Sequence, residues 1–89
     1  MKYIIIEEQI GDIKRETPII FPDHLVHSDV VKHILPIMQG INCKVVSAGT
    51  IDFGSIIVSG RSETLNINSR GYLDELLIDT YNYFHGIVK

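Results

Sequence analysis

CKVVSAGTIDFGSIIVSGRSETLNI, residues 43–67, is the densest strand-forming run in the chain, and its reading decides the fold. Val45, Ser47, Gly49 and Ile51 alternate with Lys44, Val46, Ala48 and Thr50, a period of two rich in β-branched residues, as a pleated and covered strand requires. Both sets are fairly apolar, so the strand is expected inside a sheet. Asp52-Phe53-Gly54-Ser55 breaks the run, because glycine accepts the positive φ of a tight hairpin turn, and the chain returns through residues 55–58. Ser59-Gly60-Arg61-Ser62 has two readings. Gly60 is a bulge that bends one long returning strand, the preferred reading, or Gly60-Arg61 is a two-residue turn that starts a third strand.

Working back from this hairpin, residues 2–21 read as another. Ile10-Gly11-Asp12-Ile13 offers a two-residue Gly-X turn, and pairing Ile10 with Ile13 puts Glu8 opposite Arg15, Ile6 opposite Thr17 and Ile4 opposite Ile19. One face then collects Ile4, Ile6, Ile10, Ile13, Ile19 and Phe21. The other carries Tyr3, Ile5, Glu7, Gln9, Lys14, Glu16, Pro18 and Ile20, mostly polar towards the turn, and is expected to be solvated. Pro18 has no amide proton, which marks its strand as an edge or the site of an irregularity.

Two helices complete the pattern. Val30, Val31, Ile34, Leu35 and Met38 fall on one stripe behind Ser28 or His27, with Ser28 the expected N-cap, Asp29 complementing the helix dipole, Pro36 kinking or ending the helix and Gly40 finishing it. In residues 70–85, behind a Ser69 cap, Leu73, Leu76, Leu77, Thr80, Tyr81 and Phe84 recur at three and four and are expected to face the core. Asp74, Glu75, Asp79 and Asn82 are then an acidic solvent side, and Gly86 is the stop. The expected fold is a single α+β domain, residues 1–89. Two β-hairpins form an antiparallel sheet, with a short helix between them and a C-terminal amphipathic helix packed on it, in the order ββαββα.

Composition narrows the function. Eight basic and eleven acidic residues give a net charge of -3, which does not suit a protein that lives on phosphate backbones, so nucleic acid is not the expected partner. The single cysteine, Cys43, excludes an intramolecular disulfide and a multi-thiolate zinc site and fits a reducing cytoplasm. MKYIIIEEQ is too short in apolar residues for a signal-peptide core or a membrane span, so a cytoplasmic protein without a membrane partner is expected. A chain of this size buries only about 60 to 65% of its unfolded surface, so dimerisation would help it, and a hydrophobic content of 45% leaves room for an apolar patch that meets a partner.

Asp23, His24, His27, Asp29 and His33 form the sharpest polar cluster, five candidate ligands within eleven positions. His24 and His27 would share a face of a continuous helix, and imidazole with carboxylate is acceptable chemistry for a divalent ion. No standard ligand spacing is present, however, so His27 and Asp29 read as makers of caps and local bonds, and neither metal nor cofactor is assigned. Ser47 lacks a Gly-x-Ser-x-Gly elbow, and Ser47-Ala48-Gly49 reads as a place where small side chains let the first helix or another backbone approach closely. No Walker loop or dinucleotide fingerprint exists, and no catalytic residue is assigned. Arg61 and Arg70, with Lys44, read as an edge that either discourages strand pairing or meets an acidic partner. Tyr72 and Tyr83 are the aromatic residues suited to anchor a partner, whereas Tyr81 reads as core.

Phe21-Pro22 with Leu25, His27, Asp29 and Val30, then Val45-Val46-Ser47-Ala48-Gly49, then Ser69-Arg70 ahead of an acidic amphipathic helix, resembles a family of small uncharacterised proteins encoded in bacteriophages and prophages. The resemblance spans most of the chain and implies a phage or prophage origin and a compact α+β domain, with no known activity. The leading expectation is a non-enzymatic accessory protein that binds a host or phage protein through a sheet edge or the aromatic helix, with a homodimer as a further candidate. The residues assigned to this contact are His24, His27, Asp29, Arg61, Arg70, Tyr72 and Tyr83. Two alternatives stand beside it: an acidic inhibitor that mimics nucleic acid and blocks a host defence or DNA-handling complex, and a metal-dependent enzyme using His24 and His27.

Overall fold

The computed structural model describes residues 1–38, 41–52 and 54–85, apart from the side chains of Ile41, Phe84 and His85. The expected stops at Gly40 and Gly86, the turn residue Phe53 and the core assignment of Phe84 lie outside the described residues. The chain is α+β. Strands β1 (Lys2–Ile10) and β2 (Ile13–Phe21) are followed by helix α1 (His27–Ile34) and a 3-10 turn, Leu35–Ile37. Strands β3 (Ile41–Asp52), β4 (Ile57–Ser59), β5 (Arg61–Ser62) and β6 (Ile67–Asn68) come next, and helix α2 (Tyr72–His85) ends the fold. An antiparallel four-stranded sheet has the order β2-β1-β3-β4, and β5 with β6 makes a separate two-stranded ribbon. Among the described residues no helix is long and apolar enough to cross a membrane.

The first hairpin has the register that its turn dictates. Ile10 pairs with Ile13, Glu8 with Arg15, Ile6 with Thr17 and Ile4 with Ile19, with Gly11 at φ +60. In a two-residue hairpin the closing pair exchanges its backbone bonds, so every second residue of β2 turns its amide outwards. Pro18 falls in that outward set. Its missing N–H removes no bond to β1, and it interrupts the row of donors that an incoming strand would need on this edge.

The central pairing of β1 with β3 departs from strict alternation. The register slips between Ile5 and Ile6 and again between Glu7 and Gln9, each time with an additional residue on β3. At the first slip Val46 is the residue left over. It packs with Tyr3 and Ile5, whereas its neighbours Val45 and Ala48 join Ile4 and Ile6 on the other side. At Gly49 an added Cβ would strike the Ser59 carbonyl oxygen and crowd Ser69 and Tyr3, so the small residue is required by close approach.

The sheet is covered on both sides. Ile4, Ile6, Phe21 and Ala48 pack under Val30, Val31, Ile34, Leu35 and Met38 of the α1 side and under Leu65 and Ile67 of the ribbon. On the reverse, Tyr3, Ile5, Ile51 and Val58 pack against Ile78 and Leu77 of α2. The half of this face towards the hairpin tip is the solvated part, while Tyr3 and Ile5 at its other end are fully buried among Ile51, Val58 and Ile78.

The ends of the elements also differ from the expectation. Helix α1 starts at His27, with Val26 in the N-cap position, and Ser28 offers no cap; its amide instead donates to Thr64 Oγ1 of the β5–β6 loop at 3.3 Å. The α-helix ends before Pro36, which sits in the 3-10 turn. Helix α2 starts at Tyr72 behind Gly71, φ +62, so Ser69 is too far away to be the N-cap, and its hydroxyl accepts the Gly71 amide at 3.0 Å. Gly60, φ +79, lies between β4 and β5 and is not a bulge within one long returning strand. Beyond it the chain leaves the four-stranded sheet to pair Arg61 with Asn68 and Ser62 with Ile67, so Gly60-Arg61 is not a hairpin turn either.

Candidate functional site

Helix α2 is turned about its axis from the expected phase, although Leu77 packs on the core and Tyr81 is half-buried as expected. Asp74 and Ile78, four residues apart and hence on one face, are fully buried, while Leu73 and Leu76, expected in the core, are 63% and 51% exposed. Thr80 is exposed as well. The cause is a polar network under the helix. Asp74 Oδ2 accepts the Tyr3 hydroxyl at 2.6 Å, the Arg70 amide at 2.9 Å and the Ser47 hydroxyl, and Oδ1 accepts Arg70 Nε at 2.8 Å. Tyr3 Oη also lies 2.7 Å from Ser69 Oγ. The Arg70 guanidinium continues outwards to both oxygens of Glu16 on β2, at 2.8 and 3.1 Å. Four donors satisfy the buried carboxylate, and without them the buried charge would cost several kcal/mol.

The electrostatics follow from that geometry. Burial pushes the Asp74 carboxyl up, but the hydrogen bonds from Ser47, Tyr3 and Arg70 overcome it, and the group is held below the usual carboxylate range. Burial, followed by the bond to Asp74, pushes the Tyr3 phenol up to about 12. The bond to Glu16 raises Arg70 against the opposing effect of burial. Ser47 and Tyr3 are sealed from solvent and the carboxylate beside them is a weakened base, so the network holds α2 in phase and presents no accessible nucleophile.

The residues assigned from sequence scatter. His24 is exposed in the turn before α1. His27 is buried, its Nε2 3.0 Å from the Gly49 carbonyl oxygen and its ring edge-on to Phe21 at 5.3 Å, so it packs the interior and is withdrawn from a partner. Asp29 lies on the rim of an open apolar cleft of about 560 Å³ with Phe21, Leu25 and Ile34, where its carbonyl meets His33 Nδ1 at 2.8 Å. Among the described residues no three His, Cys, Asp or Glu side chains are grouped to hold a metal ion. Arg61 bonds Asn66 and approaches Glu63 at 3.6 Å. Arg70 is committed to Glu16 and Asp74, whereas Tyr72 and Tyr83 are 73% and 84% exposed.

What gathers instead is the outer face of α2. Tyr72, Leu73, Leu76 and Tyr83 line its surface, and Leu76 separates two clefts. One, about 470 Å³, is bounded by Glu16, Arg70, Leu73, Leu77, Thr80 and Tyr81. The other, about 410 Å³, is bounded by Gly54, Ser55, Ile56, Tyr72, Glu75 and Asp79.

Comparison with protein families, curated proteins and solved structures finds no match. What the chain offers is read from its own surface. Of the residues on this face the sequence pattern singled out Tyr72, Tyr83 and Arg70 as contacts but assigned Leu73 and Leu76 to the core. Tyr3, Ser47, Glu16 and Asp74 escaped notice as a set. The available signals were a lone small hydroxyl in an apolar strand, Ser47, and the spacing of four between Arg70 and Asp74.

Proposed function

We propose that this chain is a non-enzymatic protein-binding module of phage or prophage origin that engages its partner through the outer face of α2. The observation that carries the reading is the exposure of Tyr72, Leu73, Leu76 and Tyr83 on a helix whose buried face is already supplied by Asp74 and Ile78. Contiguous exposed apolar side chains of this size mark interaction sites, and tyrosine is enriched there. The helix is favoured over the sheet edges. Pro18 interrupts the β2 edge, and β4 at the other edge is three residues long, with the Val58 amide held by Glu75 Oε2 at 2.9 Å.

A tagged pull-down from bacterial lysate tests this, with the double variant Leu73→Ser, Leu76→Ser run beside the wild type and each captured protein purified for calorimetry. The expected result is a complex that re-forms from pure components and is lost in the variant while the helical circular dichroism is kept. Equal binding by the variant, or no protein above the tag control, overturns the assignment of α2.

A further inference from the structure

We infer that the occupant of the α2 face is a basic amphipathic helix of another protein, a conclusion that rests on the binding role proposed for that face. Leu73, Leu76, Thr80 and Tyr83 follow one another at intervals of three, four and three. That is the spacing of a helix-pairing seam, and it covers about 15 Å of helix at 1.5 Å per residue, nearly three turns. An extended strand would not match this spacing. Covering Tyr72, Leu73, Leu76 and Tyr83 would remove roughly 500 Å² on this side and on the order of 1,000 Å² with the partner's share, the size of a weak or transient interface.

Charge chooses the kind of helix. Glu16 and Arg70 flank the seam on one side, Glu75 and Asp79 on the other, and Asp74 lies beneath it. Glu16, Asp74 and Arg70 pair with one another, so the negative charge that a partner meets is that of Glu75 and Asp79 on the other flank. Helix α2 itself carries no lysine or arginine. Among the described residues that share their cleft, Glu75 and Asp79 meet no lysine or arginine. A partner with lysine or arginine beside its apolar stripe therefore meets complementary charge, and an acidic one is repelled. The same charge disfavours a second copy. Two-fold antiparallel packing that sets Leu73 against Tyr83 and Leu76 against Thr80 puts the axis near residue 78, bringing the Asp79 carboxylates of both copies to one flank within a residue of it.

The test uses two synthetic helical peptides with the same leucine stripe, flanked by lysine in one and by glutamate in the other. Fluorescence anisotropy against the full chain is read at 50 and 300 mM NaCl. The expected result is at least tenfold tighter binding of the lysine peptide, a preference that shrinks severalfold at the higher salt, loss of binding in Leu73→Ser, Leu76→Ser, and a narrowed or reversed preference in Asp79→Lys. Equal affinity for both peptides, or no binding of either, overturns the inference about charge while a reconstituted natural complex would still uphold the α2 face. Lysine-peptide binding that ignores the Leu73→Ser, Leu76→Ser change also overturns it, since the seam would then play no part. So does a dimer in sedimentation that the same change dissolves, because the occupant would be a second copy.

Discussion

Replacing Asp74 by asparagine separates the two phases that α2 could adopt. Asparagine has the same shape, yet it cannot serve all four donors: its NH₂ must face either Arg70 Nε–H or the group formed by the Arg70 amide and the Tyr3 and Ser47 hydroxyls. One N–H donor is left without an acceptor, and the buried end of Arg70 loses its counter-charge. Unmaking such a bond costs about 1–3 kcal/mol, and removing one partner of a buried ion pair about 3–5 kcal/mol. Because Arg70 keeps Glu16, we take about 3 kcal/mol, which for a domain of this length lowers Tm by about 12–24 °C. Urea unfolding followed by circular dichroism measures it, with Asp79→Asn, an exposed carboxylate of the same helix, as the control expected to stay within about 0.5 kcal/mol. Acid titration adds an independent reading. Asp74 is depressed in the folded state, so its contribution is present above the unfolded-state value of about 3.9 and is lost as pH falls through the lower folded value; Asp74→Asn flattens that limb. An Asp74→Asn variant as stable as wild type, together with a strongly destabilised Leu73→Ala, would show that the leucine stripe faces the core after all.

Tyr3 gives a matching effect at the alkaline end. Its folded pKa of about 12 lies above the unfolded 10.0, so stability is fully present below pH 10 and is lost as pH rises through 12, by about 3 kcal/mol, and Tyr3→Phe removes this loss in alkaline unfolding curves. Ile78→Ala, which opens a hole at a fully buried site, is expected to cost about 2–5 kcal/mol in urea, whereas Leu73→Ala should cost well under that. His27→Ala should lower stability by about 2–3 kcal/mol, through the lost bond to Gly49 and the lost packing on Phe21, while peptide binding at α2 measured below the transition stays unchanged. Pro18→Val restores an outward amide to the β2 edge, and concentration-dependent association by light scattering is the expected consequence.

Local chemistry made much of this fold legible. The Gly11-Asp12 turn fixes one register for the first hairpin, Pro18 marks an edge, and the α1 stripe from Val30 to Met38 packs as its spacing requires. The bulge at Val46 was not legible, because Val45 and Val46 suit either face equally, and only the pairing with β1 decides which residue is left over. The phase of α2 was misread for a related reason. Apolar periodicity counts Leu73 and Leu76 as inward and Asp74 as outward, but the ranking reverses once Tyr3, Ser47 and Arg70, drawn from three other segments, converge on one carboxylate. The same apolar reading hides Leu73 and Leu76 from the candidate site, although it does single out Tyr72 and Tyr83 on that face.

Tyr3 and Asp74 are 71 residues apart, which sets an order of events during synthesis. At about 5–20 residues per second, roughly 4–14 s pass on the ribosome between the making of the tyrosine and of the aspartate that accepts its hydrogen bond. Through that interval the nascent hairpin carries Tyr3 and Ile5 without the helix that later covers them. Premature termination anywhere before α2 would release a sheet with this face bare, so a truncated product of this gene is a substrate for proteolysis or aggregation.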